Sequence, residues 1–412
     1  MTLLSIIAAI SIISTGIAGG APSEAKMASP IRVVSSSHDV NFPDDVVFNL
    51  EAESDSPITE VRLFYSLENR PVQLYGYPDF EPDNRVIAEF SVKTGGSNYI
   101  PSGVEFEYFY RITDSGGNTL ETPWLSFAYN DPRYTWRKLV RGDLTVLWHN
   151  LPQEDVERVA DDVIGQLGAV RDMFGVTEFV PMKAVIVNGS LEARRAFPFT
   201  SNAATRTHLY GGFAFGEYGL FIMQGLSADT MVHEATHLLL NSAIDSPLAR
   251  VPSWLNEGLS TYFEESGSRR AATVSRAERA NDLLHLRNMG NQPGRPSEVG
   301  VFYAQSWSTV NFMVGAYGRD KMGELIATIN DGNRIGDAIS KTYGVTVDEL
   351  EDLWKADLNG QPVILTRPDI GTVATASMIS GAFMIAVIAT TWRWLMSWLR
   401  GPQADEDAAS DE

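Results

Sequence analysis

The chain has 412 residues, a formal net charge of -20 and no cysteine. This length predicts two or three folded units, and the negative charge argues against nucleic acid as a partner because its phosphates would be repelled. The lack of cysteine excludes disulfide bonds, thiol nucleophiles and cysteine-based metal sites.

Both ends of the sequence indicate export and membrane anchoring. Residues 1–21 contain an apolar run followed by small residues, which predicts either a signal peptide or an N-terminal anchor. Residues 371–392 carry no charge and are long enough to cross a bilayer as a helix. The tryptophans and arginines of WRWLMSWLR follow, which predicts a single-pass helix with a cytoplasmic C-terminus. Residues 393–412 would then be a short cytoplasmic acidic tail, and the body of the chain would lie outside the cytoplasm at the cell membrane.

Residues 30–130 show the period of short β-strands. Apolar and polar residues alternate in residues 104–112, and DSGGN then indicates a hairpin turn. Residues 46–51 and 59–65 show the same alternation as two strands separated by turn residues. About seven strands in about 100 residues predict an immunoglobulin- or fibronectin-like β-sandwich. Such a module carries no chemistry of its own, and we expect it to position a catalytic domain or to bind a protein partner.

The pattern changes to that of an α+β domain over residues 138–360. A short strand, a long amphipathic helix and the strand KAVIV come first, followed by the glycine-rich segment YGGFAFGEYGLFIM. The rest is mostly helical, and its last helix begins with a capping box at Thr346 and Glu349. The sequence therefore predicts a mixed sheet subdomain followed by a helical subdomain.

The stretch VHEATHLLLNS places two of the six histidines four residues apart. Its apolar residues recur at helical spacing, and Ser227 or Asp229 is available as a helix cap. A helix puts His233 and His237 on one face, close enough to bind one metal ion. A catalytic zinc ion takes three protein ligands and leaves one position for water. Glu234 lies beside the two histidines, where it can take a proton from the attacking water and pass it to the leaving amine.

A third metal ligand is predicted in the segment VPSWLNEGLSTYFEE. Its apolar residues mark the buried stripe of a helix, and this stripe turns Glu257 toward the histidines. Glu264 and Glu265 are expected to be ordinary charges at the end of that helix. We therefore predict one zinc ion per chain, bound by His233, His237 and Glu257.

The pairing of HEATH with PSWLNEGLS resembles the gluzincin metallopeptidases, and especially the peptidase MA-like branch found in exported bacterial and archaeal proteins. The resemblance implies the ligand and base roles given above. It also implies that the strand at residues 219–223 lines the cleft and receives the substrate as an added strand. Thermolysin-like members carry an aspartate four residues after the ligand glutamate to orient a histidine. This chain has Thr261 there, so we expect that support from another residue.

A donor for the oxyanion of the tetrahedral intermediate is expected as well. Members of this branch tend to have a Tyr-x-Gln-Ser helix after the ligand helix, which makes Tyr303 the first candidate. The alternative is that Tyr303 is a tyrosine of the core. His208, in RTHLYGG, is the second candidate for the donor. His38, His149 and His285 fit no ligand spacing and are expected to be surface or packing residues.

The sequence thus predicts a membrane-anchored, extracytoplasmic zinc metallopeptidase. Its parts would be an all-β sandwich, a gluzincin-type α+β domain and a C-terminal transmembrane helix, and its substrate would be a peptide or protein. No amine-binding Gly-Ala-Met-Glu-Asn type motif is clear, which favours an endopeptidase over an aminopeptidase. The alternative is a surface binding or adhesion protein whose peptidase-like domain holds zinc structurally or is inactive. The intact Glu234 argues against that alternative.

Overall fold

The computed structural model describes residues 30–199, 211–363 and 365. The predicted signal peptide or anchor at residues 1–21, the predicted membrane helix at residues 371–392 and the acidic tail lie outside these residues. Among the described residues, no helix is both long enough and apolar enough to cross a bilayer.

The chain begins with a β-rich unit. Its strands are β1 (Arg32–Asn41), β2 (Asp45–Leu67), β3 (Leu74–Gly76), β4 (Asp83–Lys93), β5 (Glu105–Asp114), β6 (Thr119–Glu121) and β7 (Leu125–Ala128). In β5, the apolar residues of the predicted alternation are buried and the residues between them are mostly accessible, as expected for a strand with one face on a core. The β-strand content predicted for this range is confirmed, while its immunoglobulin- or fibronectin-like topology stays a prediction.

Strand β2 corrects one detail of the sequence analysis. Residues 46–51 and 59–65 are not two strands but parts of one strand of 23 residues. Its first part pairs with β1 and β4, and its second part pairs with β3 and β5. The pairing register shifts between Glu53 and Ile58, where Pro57 cannot donate a ladder hydrogen bond. The ring of Phe48, in the first part, stacks at 6.2 Å on the ring of Tyr65 in the second part, so the two parts of the strand pack against each other.

A second sheet follows the β-rich unit. It contains β8 (Arg137–Arg141), β9 (Leu144–Trp148), β10 (Met182–Val187), β11 (Gly212–Phe215) and β12 (Leu220–Gln224), in the spatial order β11-β12-β10-β9-β8. Strands β9, β10 and β12 are parallel, and the two outer strands are antiparallel to their neighbours.

The expected cleft strand is placed differently from the prediction. The strand at residues 219–223 corresponds to β12, which is an inner strand with partners on both sides. Strand β11 is the outermost strand on that side of the described sheet, and it lines the cleft. The glycine-rich segment before β12 turns back through a 3₁₀ turn at Gly216–Tyr218 and pairs as a hairpin. Sequence pattern did not identify β11 because the strand is only four residues long and lies within a glycine-rich segment, and glycine has a low strand propensity.

Helices make up most of the remainder. They are α1 (Gln153–Phe174), α2 (Ser190–Ala196), α3 (Ala228–Ala243), α4 (Ser253–Tyr262), α5 (Ala271–Ala280), α6 (Pro296–Tyr317), α7 (Arg319–Asn330), α8 (Ile335–Tyr343) and α9 (Val347–Leu358). The capping box predicted at Thr346 and Glu349 is present at the start of α9. Helix α4 lies close to α6 because Gly258 has no side chain: a Cβ there would lie 2.6 Å from the carbonyl oxygen of Ser306.

The second sheet is covered on both faces. One face packs against α1, α3 and the other helices, with Ala184 and Ile186 of β10 in that core. The other face packs against the β-rich unit, with Val185 and Val187 of the same strand in the second core. The buried Lys183 also crosses this boundary and donates hydrogen bonds to Glu68 and to the carbonyl oxygen of Gly103. The β-rich unit is therefore part of one packed body with the sheet that carries the site.

Candidate functional site

Helix α3 carries the first half of the site. Its cap is Ser227, whose hydroxyl accepts a hydrogen bond from the backbone N–H of Thr230. The apolar residues of the helix are buried in the core, at the spacing that the sequence predicts. This packing turns His233 and His237 toward a cleft of about 1020 Å³, which Glu234 also lines.

Helix α4 brings the third predicted ligand to the same point. The Oε2 atom of Glu257 lies 3.3 Å from Nε2 of His233 and 3.6 Å from Nε2 of His237. The two Nε2 atoms are 3.2 Å apart. Zinc bonds of about 2.0–2.2 Å in a tetrahedral arrangement place ligand atoms about 3.3 Å from each other. The three atoms thus have the spacing of a zinc ligand set.

The hydrogen bonds of the two rings show which ring atoms face this point. His233 donates from Nδ1 to Glu264, and His237 donates from Nδ1 to the Oδ1 atom of Asn256, each over 2.8 Å. With Nδ1 as the donor, the Nε2 atom of each neutral ring carries a lone pair. The buried Oε2 atom of Glu257 has no hydrogen-bond partner. Three lone pairs can therefore converge on one point, which is the arrangement that a zinc ion requires, so these residues fit a zinc ion.

Glu264 differs from the prediction. It is not an ordinary charge at the end of a helix: its side chain is 8% exposed and accepts the hydrogen bond from His233. Arg270 donates to the same carboxylate over 2.6 Å. Helix α4 ends at Tyr262, so Glu264 lies just beyond it and reaches back to the histidine. Glu265 is exposed, as expected.

Thr261 takes no part in orienting the histidines. Its hydroxyl donates to the carbonyl oxygens of Glu257 and Gly258 within its own helix. Glu264 supplies the carboxylate to His233 instead, and Asn256 together with Ser260 contacts Nδ1 of His237. The sequence predicts this result, namely that residues other than Thr261 orient the histidine rings.

Charge interactions at the site shift the pKa values of the ligands. Burial favours the neutral imidazole of His233, but the nearby carboxylates of Glu257 and Glu264 outweigh it and raise its pKa to about 10. Burial also acts to raise the pKa of Glu257, yet the two histidines hold this pKa well below its usual range. Burial raises the pKa of Glu234, and the histidines only partly oppose this rise. The cluster thus favours a positive charge at its centre.

Glu234 is held against the backbone of β11. Its carboxyl group is buried, and a Cβ at Gly212 would lie 2.7 Å from its Oε1 atom. Only glycine leaves room for the carboxyl group at this point.

We expect Gly212→Ala to lower peptide hydrolysis at least tenfold while zinc is still bound at one equivalent. The three atoms nearest to the added methyl group all belong to Glu234, so the change displaces this carboxyl group and acts on the metal ligands only through it. Steady-state kinetics and metal content of the purified variant measure the two effects. Ala214→Gly, on the same strand, is the control and should retain activity; zinc loss in Gly212→Ala would show that the glycine supports the metal cluster itself.

Tyr303 is the oxyanion candidate that the structure brings to the cleft. It lies on α6, its ring centre is 6.4 Å from that of His233, and its hydroxyl is 3.2 Å from Nε2 of Gln292. His208 lies outside the described residues.

The other three histidines make packing or surface contacts, as the sequence predicts. His38 stacks on Phe127, the buried His149 stacks on Tyr134, and His285 forms an ion pair with Glu351. None of the three lies on the cleft described above.

The contacts that five residues make at the site were not predicted from the sequence: Asn256, Glu264, Arg270, Gln292 and Gly212. For Glu264 a signal exists, because it lies seven residues after Glu257 and two helical turns would return it to the same face. For Asn256 the only sequence signal is that it immediately precedes the predicted ligand Glu257. Arg270 and Gln292 approach the cluster from other segments, so no spacing identifies them.

A buried carboxylate anchors the segment that leads to Gln292. Glu351 of α9 accepts hydrogen bonds from the backbone N–H of Leu286, from His285 and from Lys355. Burial alone would raise the pKa of Glu351, but these hydrogen bonds hold its pKa below the usual value. Its stabilising contribution is therefore complete above the pKa of the unfolded chain, about 4.3, and is lost as the pH falls through the lower pKa of the folded state.

We expect Glu351→Gln to lower the free energy of unfolding by about 1–3 kcal/mol at pH 7, because an ionised acceptor of three hydrogen bonds is replaced by a neutral one. The difference from the unmodified protein should shrink below about pH 4.3, where this glutamate takes up a proton in the unfolded chain, and should be lost as the pH falls through the lower pKa of the folded state. Urea unfolding at several pH values in the presence of a chelator measures it. Asp352→Asn, at an exposed position of the same helix, is the control; a difference that is independent of pH would contradict the ionised state of Glu351.

Residues 170–360 match the model of the Peptidase MA superfamily, which is somewhat less than half of the chain. No curated protein matches the chain. A mutant of an M1 zinc metallopeptidase from Deinococcus radiodurans, bound to a Tyr-Ser-Ala substrate, has a similar structure at 12% identity and a TM-score of 0.36. That match covers 79% of this chain and 92% of the other.

The β-rich unit also has similar solved structures. A carbohydrate-binding module of family 56, described as a β-1,3-glucan binding domain, matches at 21% identity and a TM-score of 0.16, over 23% of this chain and 95% of the module. At such identities and TM-scores, neither structural similarity carries a functional argument. The family model rests on sequence and includes His233, His237 and Glu257. The part of the chain that holds this cluster is therefore similar to the Peptidase MA superfamily, which supports a zinc peptidase-like domain.

Proposed function

We propose that the chain is a membrane-anchored, extracytoplasmic zinc peptidase that hydrolyses internal peptide bonds. The observation that carries this proposal is the convergence of the Nε2 atoms of His233 and His237 with Oε2 of Glu257. The buried carboxyl group of Glu234 lies beside them. A purely structural zinc site has no use for such a carboxyl group, so its presence favours an enzyme over a zinc-holding binding protein.

His233, His237 and Glu257 would hold the zinc ion, which when bound supplies a Lewis acid and lowers the pKa of water. Glu234 accepts the proton of the attacking water at its carboxylate and later gives this proton to the leaving nitrogen. Glu264 and Asn256 keep both imidazole rings in the tautomer that directs Nε2 to the centre.

Two further parts of the cleft bind the substrate in this proposal. Strand β11 lines the cleft and is outermost among the described strands on its side, so an extended peptide can pair with it as an added strand. Tyr303 donates a hydrogen bond to the oxyanion that develops on the peptide carbonyl, a contact of the kind that contributes about 10²–10³ in rate. The Peptidase MA match supports peptide as the substrate class.

The test is to purify the full chain in detergent, measure its zinc content, and compare its hydrolysis of a mixed peptide library with that of Glu234→Gln. We expect one zinc per chain in both proteins and a loss of about 10²–10⁴ in kcat/KM in the variant, because the proton acceptor is gone. N-terminally acetylated peptides should be cleaved as well as free ones if internal bonds are the target. One equivalent of zinc with equal rates, or no hydrolysis by either protein, would favour a binding or adhesion protein.

The membrane part of the proposal rests on the sequence of residues 371–412. The uncharged segment, its tryptophans and its flanking arginines favour a single span with the acidic tail in the cytoplasm. Protease treatment of intact cells should remove the peptidase domain and leave an epitope tag at the C-terminus intact. Loss of the tag under the same conditions would contradict this orientation.

A further inference from the structure

Gln292 makes a contact with the third ligand that no known role of the site requires. Its Nε2 atom donates a hydrogen bond of 2.7 Å to Oε1 of Glu257 and lies 3.2 Å from the hydroxyl oxygen of Tyr303. An amide nitrogen carries two hydrogens, so one group can serve both partners. Gln292 thus connects the predicted ligand to the candidate oxyanion donor.

The segment that carries Gln292 is fixed to the start of α4. Proline precedes this helix and no side chain caps it. Instead, the backbone N–H of Ser253 donates to the carbonyl oxygen of Gly290 over 2.9 Å, and that of Trp254 donates to Met289 over 3.2 Å. The segment therefore satisfies two of the N–H groups at the helix start. Gln292 lies two residues after Gly290, so these backbone hydrogen bonds fix its position relative to the helix that carries Glu257.

The contact divides the Glu257 carboxylate into two unequal oxygens. Oε1 accepts the hydrogen bond from Gln292, while Oε2 faces the two imidazole Nε2 atoms. A carboxylate bound to a metal can use one oxygen or both. An amide that already holds Oε1 over 2.7 Å makes the use of both oxygens unfavourable.

We propose that Gln292 is a positioning residue that restricts Glu257 to one-oxygen coordination of the metal. The same side chain fixes the position of the Tyr303 hydroxyl relative to the Glu257 carboxylate. This inference rests on the proposed zinc site. The Tyr303 oxygen accepts from Gln292, so the O–H of Tyr303 is not used in this contact. One side chain thereby sets both the coordination number of the metal and the place of the oxyanion donor.

The experiment compares the full chain with Gln292→Ala, Gln292→Glu and Asn291→Ala. Zinc affinity is measured by competition with a chromophoric chelator, and coordination number is read from the visible absorption of the Co²⁺-loaded proteins. We expect Gln292→Ala to bind zinc about 10–100-fold more weakly. Its cobalt bands should lose intensity, as a change from four to five ligands requires. Gln292→Glu should give the same change in the cobalt bands, because an ionised carboxylate has no hydrogen to donate to Oε1 of Glu257. Asn291→Ala, at an exposed neighbouring amide, should match the unmodified protein.

The link to Tyr303 has its own test in a double-mutant cycle with Tyr303→Phe at saturating zinc. If Gln292 acts through Tyr303, the loss of kcat in the double variant is smaller than the product of the two single losses. Independent losses overturn this part of the proposal. Unchanged zinc affinity and cobalt spectrum in Gln292→Ala overturn the coordination part while leaving the proposed function intact. An unmodified chain that binds neither zinc nor cobalt overturns the proposed function itself.

Discussion

Replacing Glu257 by alanine is expected to abolish zinc binding at neutral pH and peptide hydrolysis with it. The change removes one of three converging ligand atoms, and two imidazoles alone do not complete a catalytic zinc site. Glu264→Gln is expected to have a smaller effect, a loss of about 10–100-fold in zinc affinity, because Glu264 orients His233 and does not face the centre. Zinc content after dialysis and chelator competition distinguish the two.

The exposed neighbour provides a matched control for these variants. Glu265→Gln changes a carboxylate in the same segment whose side chain makes no contact with the histidines, and it should bind zinc as the unmodified chain does. If Glu264→Gln lost zinc while Glu257→Ala stayed loaded, the ligand assignment would be wrong.

Removing the β-rich unit is expected to prevent the peptidase-like domain from folding. A fragment of residues 137–365 would expose the sheet face that now lies in the second core: Leu147, Val185, Val187, Leu220 and Ile222. Burial of each such side chain contributes about 1.5–3 kcal/mol, so the loss of about 7–15 kcal/mol is as large as the whole stability of an ordinary domain. Expression of this fragment should yield aggregated protein. A soluble, cooperatively unfolding fragment that binds zinc would contradict this expectation.

Single substitutions probe the same boundary without deleting any segment. Val185→Asp places a charge where the side chain is fully buried between the two units, and it should cost more than about 4 kcal/mol. Val140→Asp, on β8 of the same sheet, is the control because that side chain is 55% exposed. Thermal unfolding followed by circular dichroism compares the two.

The parts of the site that depend on one segment were predictable from the sequence. His233, Glu234 and His237 follow from helical spacing and from zinc chemistry, both of which are local. Glu257 was predictable because the apolar stripe of α4 fixes which face of that helix is buried. The family resemblance then supported the same residues and pointed to Tyr303, which does line the cleft.

The parts that depend on tertiary contacts were not predictable. The spacing from Glu257 places Glu264 near the same face, but its contact with His233 depends on where α4 ends and on Arg270 in the following turn. Strand β11 forms because the chain turns back onto β12, which its glycine-rich composition does not indicate. Likewise Asp-Ser-Pro has the composition of a turn, yet tertiary packing keeps residues on both sides of it in the single strand β2.

The packing of the β-rich unit against the second sheet could not be predicted from the sequence pattern either. The strand KAVIV is buried at every position, and its apolar run is typical of a strand covered on both faces. Nothing in that pattern indicates that one of the two covering layers is the preceding β-rich unit.

The ion pair between Glu264 and Arg270 has a consequence for the charge balance of the site. Among the described residues of the buried cluster, three carboxylates (Glu234, Glu257 and Glu264) stand against one guanidinium group, that of Arg270. When all three are ionised, the excess is two negative charges, the charge that one divalent cation neutralises. The raised pKa values of both histidines reflect the same excess, so two protons and one metal ion are alternative ways to balance it. A monovalent ion in this position would leave a negative charge uncompensated in a buried site, which disfavours sodium or potassium on electrostatic grounds alone.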